Sequence, residues 1–297
     1  MRTLGLFYTL VRRDPLLIVC AAFLLLMVFL AFIGIHFTRY SYDEISDASL
    51  LKPSWTHWFG TDVNGHDLLT RTLFGAQISI LVSAIATLVS LTLGVTYGMI
   101  SGYVGGRVDN IMMRVVEIAY SLPTLVLVIV VVTTLDNPVA DLLKNMGLAF
   151  LSPRLVLIIA FLGLTEWFTM ARIIRGQVLV LKEQAFIQAA NALGQSHFQI
   201  LRQHLLPNLS GLIAIYLTLT IPAVMLDESF MSFLGVGVPA PLASWGTLVS
   251  DAAGQINPIK LYWWLLVFPG GMMTLTLLAL NFLGDGLRDA FDPRIRK

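Results

Sequence analysis

The chain has 297 residues, 57% of them hydrophobic and only 12% charged, with a formal net charge of +1. A soluble domain carries roughly 25% charged residues, so this composition excludes an ordinary water-soluble globule and points to a membrane. The near-zero charge removes any global electrostatic case for nucleic acid, and the lone cysteine, Cys20, excludes an internal disulfide or a thiolate metal cluster.

A helix needs about 20 apolar residues to cross the hydrocarbon core. Six segments meet that length, which predicts an all-α polytopic protein. The first, Pro15–Ile35, follows Arg12 and Arg13 as a signal peptide would, but it is too long for an h-region and lacks a clear small-residue cleavage site. It reads as a retained membrane helix, with residues 1–35 forming an N-terminal unit. Residues 36–77 read as a long outer loop holding Trp55, Trp58 and Phe59, then the turn-rich run Gly60-Thr61-Asp62-Val63-Asn64-Gly65. These aromatics suit an interfacial belt or a contact surface for an outside partner.

Residues 78–297 read as a five-helix core. Its first span, Ile78–Ile100, carries Ser79, Ser83, Thr87, Ser90, Gly94 and Gly98, small residues that let helices approach closely. The next spans are about Ile111–Leu135, Leu155–Arg175, Leu209–Leu226 and Leu261–Leu283. Pro123, Pro222 and Pro269 fall inside three of them and mark kinks or hinges. Residues 236–259 are poor in helix signals and rich in Gly and Pro, which suggests a packed or re-entrant outer loop. Glu166 lies within a span, so its carboxyl should face the bundle interior or water. With Asp227 and Glu228 near the outer end of the fifth span, it is a candidate for lining a translocation path.

Placing both termini inside collects 13 of the 19 Lys and Arg residues on the cytoplasmic side, among them Arg107, Arg114, Arg172, Arg175, Lys182, Arg202 and Arg288. The same choice puts Lys182–Asn208, KEQAFIQAANALGQSHFQILRQHLLPN, in the cytoplasm. This is an amphipathic island between two apolar spans. Its alanines and apolar residues predict a helix. Gly194 suits the left-handed position that ends it, Ser196 an N-cap, and Phe198–Leu206 a second short helix that Pro207 turns aside. A bent helix pair with small residues at its centre suits docking on another protein.

Catalytic patterns are missing. No GxxxxGK[ST] is present, so the chain is not itself a P-loop ATPase, and no HExxH, GxSxG or CxxC occurs. His197 and His204, seven residues apart with no carboxylate at ligand spacing, do not make a metal site.

Against that background the island resembles the EAA loop of bacterial ABC importer permeases. Gln188-Ala189-Ala190, then Gly194, then Leu206-Pro207 follow its pattern, with Gln188 where glutamate is usual and His204 where an aliphatic residue is usual. From about residue 55 onward the chain resembles the oligopeptide/dipeptide branch of that family, closest to its C-type permease. The matching runs are Phe59-Gly60-Thr61-Asp62 with Gly65 and Asp67, Gly102–Asp109 (GYVGGRVD), Glu228–Gly235, Ser244-Trp245-Gly246, Asn281–Ala290 and Asp292-Pro293-Arg294. The resemblance implies a type I importer permease fold without enzymatic activity, in the bacterial inner membrane. It implies no cofactor in this chain, ATP and Mg being bound by partner ATPase subunits. It also implies a homologous second permease, two ATP-binding subunits, an extracytoplasmic peptide-binding protein and alternating access. Gln188, Ala189, Ala190, Gly194, Leu206 and Pro207 become the expected ATPase-coupling residues. The same architecture carrying nickel, glutathione or a polyamine remains open at this stage, as does a solitary secondary transporter using Glu166 as a proton carrier.

Overall fold

The computed structural model describes residues 15–256 and 260–291. Every regular element among them is helical. In chain order these are α1 (Pro15–Phe32), α2 (Leu68–Val104), α3 (Gly106–Tyr120), α4 (Thr124–Asn145), α5 (Pro153–Lys182), α6 (Ala185–Ala192), α7 (His197–Phe233), α8 (Trp245–Ala253) and α9 (Trp263–Phe291). Six of them are long and apolar enough to cross a membrane: α1, α2, α4, α5, α7 and α9. Of the basic residues used to orient the chain, Arg2, Arg12, Arg13, Arg294, Arg296 and Lys297 lie outside the described residues, as does Asp292-Pro293-Arg294.

The centre of the bundle is the α2–α5 pair, which shares the most extensive interface in the molecule. Small residues explain it. A Cβ added at Gly94 would lie 2.6 Å from the Met170 Cβ, one at Gly98 2.5 Å from the Ala171 carbonyl, and one at Gly102 2.8 Å from the Arg175 carbonyl. Three glycines at four-residue spacing thus lay one helix backbone against the other, the packing mode of small-xxx-small stripes. Ser79, Ser83, Thr87 and Ser90 continue the buried face, as their size led us to expect. Around this pair, α4 packs on the upper part of α5, α7 on α2 and α5, and α1 on α9.

Several sequence-based boundaries shift. α2 begins at Leu68, earlier than the expected Ile78, because Asp67 caps it: its carboxylate accepts from the Thr70 N–H at 3.0 Å and the Thr70 hydroxyl at 2.9 Å. The third span is not one helix over Ile111–Leu135. It breaks at Ser121-Leu122-Pro123 into α3 and α4, and the membrane-length part is Val126–Asn145. Pro123 is therefore the N-cap residue of α4 and not a kink inside a span; it lacks an N–H and disfavours helix at Leu122. Pro222 and Pro269 do lie inside α7 and α9. Residues 236–256 are packed, as expected, yet contain a helix. Ser244 and Thr247 form a capping box at the start of α8, and Trp245 is fully buried, its indole donating to the Thr72 carbonyl at 3.0 Å.

The 36–67 segment is a folded cap at the α8 end. Arg71 donates to Asp62 at 3.0 Å, His66 Nδ1 lies 2.8 Å from Asp62, and His57 Nδ1 lies 2.9 Å from Asp67. Phe59 stacks on Phe268 at 4.0 Å, while Trp55 and Trp58 remain exposed.

Candidate functional site

Two features stand out, an elbow at one end of the bundle and a polar cavity within it. The elbow is the 182–208 stretch. α5 ends at Lys182, and α6 follows after a two-residue break. Gly194 adopts φ +75°, with its own N–H and that of Gln195 donating back to the Asn191 and Ala190 carbonyls. That is the helix-ending geometry for which glycine is suited. Ser196 then caps α7 in a reciprocal box with Gln199, at 3.3 and 3.0 Å. His204 Nε2 lies 2.8 Å from Gln195 Oε1, which ties the turn to α7.

Pro207 does not turn the chain aside. The helix continues from His197 to Phe233, with one widened π-type turn over Ile200–Leu205 immediately before Leu206 and Pro207. A proline inside a regular helix leaves a carbonyl without its partner and presses its ring against the preceding turn. A π-turn at that place relieves both demands. Leu206 and Pro207 thus begin the return span as part of one continuous helix.

The elbow has an inner and an outer face. Ile187, Ala190, Ile200 and Leu205 are buried in one cluster with Val95 and Met99 of α2, Met170, Ile174 and Val178 of α5 and Leu209 of α7. Ala190 therefore packs inward, whereas Ala189 beside it is exposed. Gln188 is exposed and satisfies its side chain locally, donating to the Glu183 carbonyl at 3.2 Å. The most prominent outward groups are ones that the sequence motifs do not single out. Leu193 is 82% exposed and Phe198 68%, one on each side of the Gly194 turn. Two large apolar side chains at the tip of a polar loop are the pattern of a docking surface.

The cavity measures about 320 Å³ and is lined by Ala119 and Tyr120 of α3, Thr124 of α4, Thr165, Glu166 and Phe168 of α5, and Asp227, Phe230 and Met231 of α7. The break at Pro123 forms part of its border. Glu166 and Asp227, far apart in sequence, both line this cavity. The third candidate, Glu228, separates from them. It is fully buried, and accepts from Ser232 at 2.8 Å and Ser79 at 3.4 Å. It does not line the cavity; it ties α7 to α2 beside the start of α8. Among the described residues no group of three or more His, Cys, Asp or Glu is placed to hold a metal.

Residues 94–297 match the family described as "Binding-protein-dependent transport system inner membrane component". The chain belongs to this family. It is 44% identical over 262 residues to the oligopeptide transport system permease protein OppC of Escherichia coli (strain K12), covering 87% of this chain and 80% of that one. It is 40% identical over 287 residues to OppC of Bacillus subtilis (strain 168), covering 96% and 88%. It is 42% identical over 247 residues to the dipeptide transport system permease protein DppC of the same organism, covering 83% and 72%. These are C-type permeases, the type that the sequence motifs indicated. The all-helical architecture with six membrane-length helices is that of a multi-pass type I importer permease.

Proposed function

We propose that this chain is the transmembrane permease subunit of an ATP-driven ABC importer that carries oligopeptides or dipeptides into the cytoplasm. The observation that carries this reading is the elbow: a helix–turn–helix whose inner face is locked to the bundle and whose tip presents Leu193 and Phe198 outward, where a partner protein can dock. The partner would be one of two ATP-binding subunits, which hold ATP and Mg. A sister permease would complete the translocation path, and an extracytoplasmic peptide-binding protein would deliver substrate. Both termini and the elbow would then be cytoplasmic, in keeping with the basic residues near them, and the 36–67 cap would face outside.

On this reading ATP binding closes the ATPases, the elbow moves with them, and the bundle alternates between outward- and inward-facing forms. Coupling requires the partners to bind those forms with different free energies. Gln188 supplies no carboxylate, so docking rests on apolar contact, the polar rim and the exposed Ala189. Inside the bundle, Glu166, Asp227, Tyr120 and Thr165 provide a polar wall along which a peptide backbone or a charged terminus can pass.

Purification of the chain from its native membrane tests the reading. Two ATPase subunits and a second permease should co-purify, and Leu193→Asp with Phe198→Asp should release the ATPases while leaving the permease inserted. Uptake by the reconstituted complex should respond to peptides of graded length and not to nickel, glutathione or polyamines. Transport by this chain alone in ATP-free proteoliposomes would overturn the proposal.

A further inference from the structure

Of the two core helices that carry no proline in their interior, α2 and α5, α2 is the longer. It runs unbroken for 37 residues, a length of about 55 Å at 1.5 Å per residue. It contains no proline, whereas α4, α7 and α9 carry Pro138, Pro222 and Pro269 in their interiors. Prolines are where membrane helices bend. With α5, against which it packs, α2 is among the core helices best able to move as one rigid piece.

Both ends of this rod are held by directed polar contacts. At the elbow end, the Tyr103 hydroxyl lies 3.3 Å from Asn191 Oδ1 and 3.0 Å from His197 Nδ1. Asn191 belongs to α6 and His197 to α7, so one hydroxyl touches both arms of the elbow. A hydroxyl has one proton: donating it to Asn191 leaves the oxygen to accept from a His197 carrying its proton on Nδ1, and that assignment satisfies both bonds. Just beyond, the chain turns at Gly105, and Asp109 receives Arg175 of α5 in a two-pronged pair, Nε to Oδ1 at 2.5 Å and Nη2 to Oδ2 at 2.6 Å. The Ser101 hydroxyl donates to the same Oδ1. Arg175 is seven residues before the end of α5, where the chain enters the elbow. The corner 101–109 therefore grips the approach to the elbow as well as its two arms.

At the opposite end, the first turns of α2 are built into the cap. Asp67 links Thr70 to His57, and Arg71 reaches Asp62. Trp245 of α8 donates its indole N–H to Thr72 and its backbone N–H to Ser79, at 3.0 and 3.1 Å. Between the two ends the α2 surface facing α5 is built of small residues, with Gly94, Gly98 and Gly102 in contact with α5.

We infer that α2 is the element that carries displacement of the elbow to the opposite face of the bundle, with Tyr103 and Asp109 as the positioning residues that couple the elbow to it. A stiff helix transmits displacement only if both ends are attached, and these contacts are the attachments. The inference rests on the importer reading proposed above. Because coupling between two sites is reciprocal, an event at the cap should also be felt at the elbow. Docking of the substrate-loaded binding protein on the outside would then alter ATP hydrolysis on the inside through α2.

The test uses the complete transporter in lipid nanodiscs, with its binding protein and a peptide substrate, and compares ATP hydrolysis with and without the loaded binding protein. Tyr103→Phe and Asp109→Asn should keep basal hydrolysis and subunit composition but lose about three- to tenfold of the stimulation, the range expected for one lost hydrogen bond. Peptide transported per ATP should fall with it. Thr133→Val removes a hydroxyl that donates to the Ile129 carbonyl at 2.7 Å within α4, away from the corner and the cavity, and should leave stimulation unchanged. Exchanging the charges, Asp109→Arg with Arg175→Asp, should restore part of what Asp109→Asn loses. If Asp109→Asn fails to assemble, Tyr103→Phe, which removes a single oxygen atom, decides alone. Wild-type stimulation in Tyr103→Phe, or an equal loss of basal and stimulated hydrolysis, overturns the relay but leaves the importer reading standing. Absence of any ATPase partner for the wild-type chain brings down both.

Discussion

Arg175 and Asp109 are 66 residues apart in sequence, and Arg175 Nε and Nη2 meet the two carboxylate oxygens at 2.5 and 2.6 Å. Asp109 is 5% exposed and also accepts from Ser101, so its charge is fully partnered. The hydrogen-bonded Arg175 guanidinium, assisted by Ser101, holds the Asp109 carboxyl below its ordinary value of 3.8. A depressed carboxyl contributes stability that is complete above the unfolded value and is lost as pH falls through the lower folded value. Asp109→Asn should cost about 1.5–3 kcal/mol, the range for a hydrogen bond to a charged group. The difference in thermal midpoint between the variant and wild type should stay flat from about pH 8 to pH 5, since the titration lies below that window. A difference that shrinks between about pH 7 and pH 5 would contradict the assignment.

Gly98 carries the close approach of α2 and α5. A Cβ there would lie 2.5 Å from the Ala171 carbonyl and 2.9 Å from the Ile174 Cβ, neither of which is the free end of a flexible chain. Gly98→Val should force the helices apart and lower the yield of correctly folded protein, at a cost of about 1–3 kcal/mol or more. Gly176, on α5, has nothing within 4 Å of the place a Cβ would occupy, and should accept alanine without loss. Size-exclusion profiles and thermal midpoints in one detergent compare the pair.

Gly194 poses the reverse case. Its φ is +75°, but no atom lies within 4 Å of the position a Cβ would take. Any substitution is strained through the backbone and not through collision, at roughly 1–2 kcal/mol, and asparagine should be tolerated better than alanine. Gly194→Trp should insert and fold, because its side chain points into open space. It should nevertheless abolish transport and substrate-stimulated ATP hydrolysis, by occupying the surface between Leu193 and Phe198 on which the proposed partner would dock. Normal uptake by Gly194→Trp would count against the elbow as the coupling site.

The three acids should separate by function. Glu228 is enclosed and bonded by Ser232 and Ser79, so Glu228→Gln, which preserves volume and an acceptor, should fold and transport near normally. Glu228→Ala should lose about 2–4 kcal/mol through an unfilled space and unpaired hydroxyls. Glu166→Gln and Asp227→Asn change groups on a cavity wall and should leave stability within about 1 kcal/mol of wild type while lowering the rate of peptide uptake. Equal uptake by all three neutral variants would remove Glu166 and Asp227 from the path.

The membrane, the six spans and the elbow were legible along the chain, because each follows from local chemistry: runs too apolar for water, a glycine where a helix must end, a serine where one must begin. The family was legible too, since the motifs from Phe59 onward are read in order along one dimension. The third span, the start of α2 and the course at Pro207 were not. There Pro123 splits one apolar run into two helices, Asp67 extends a helix outward, and a widened turn absorbs a proline. Which face each residue presents is a matter of packing between helices. Ala189 and Ala190 are adjacent and identical, yet one is exposed and the other is packed under α2 and α5. Asp227 and Glu228 are neighbours, yet one lines a cavity together with Glu166 and the other is buried among serines. Successive residues on a helix point about 100° apart, so adjacency in sequence says nothing of shared surroundings. The residues that distinguish Asp227 from Glu228, Glu166 on one side and Ser79 on the other, come from other helices and are set by packing alone.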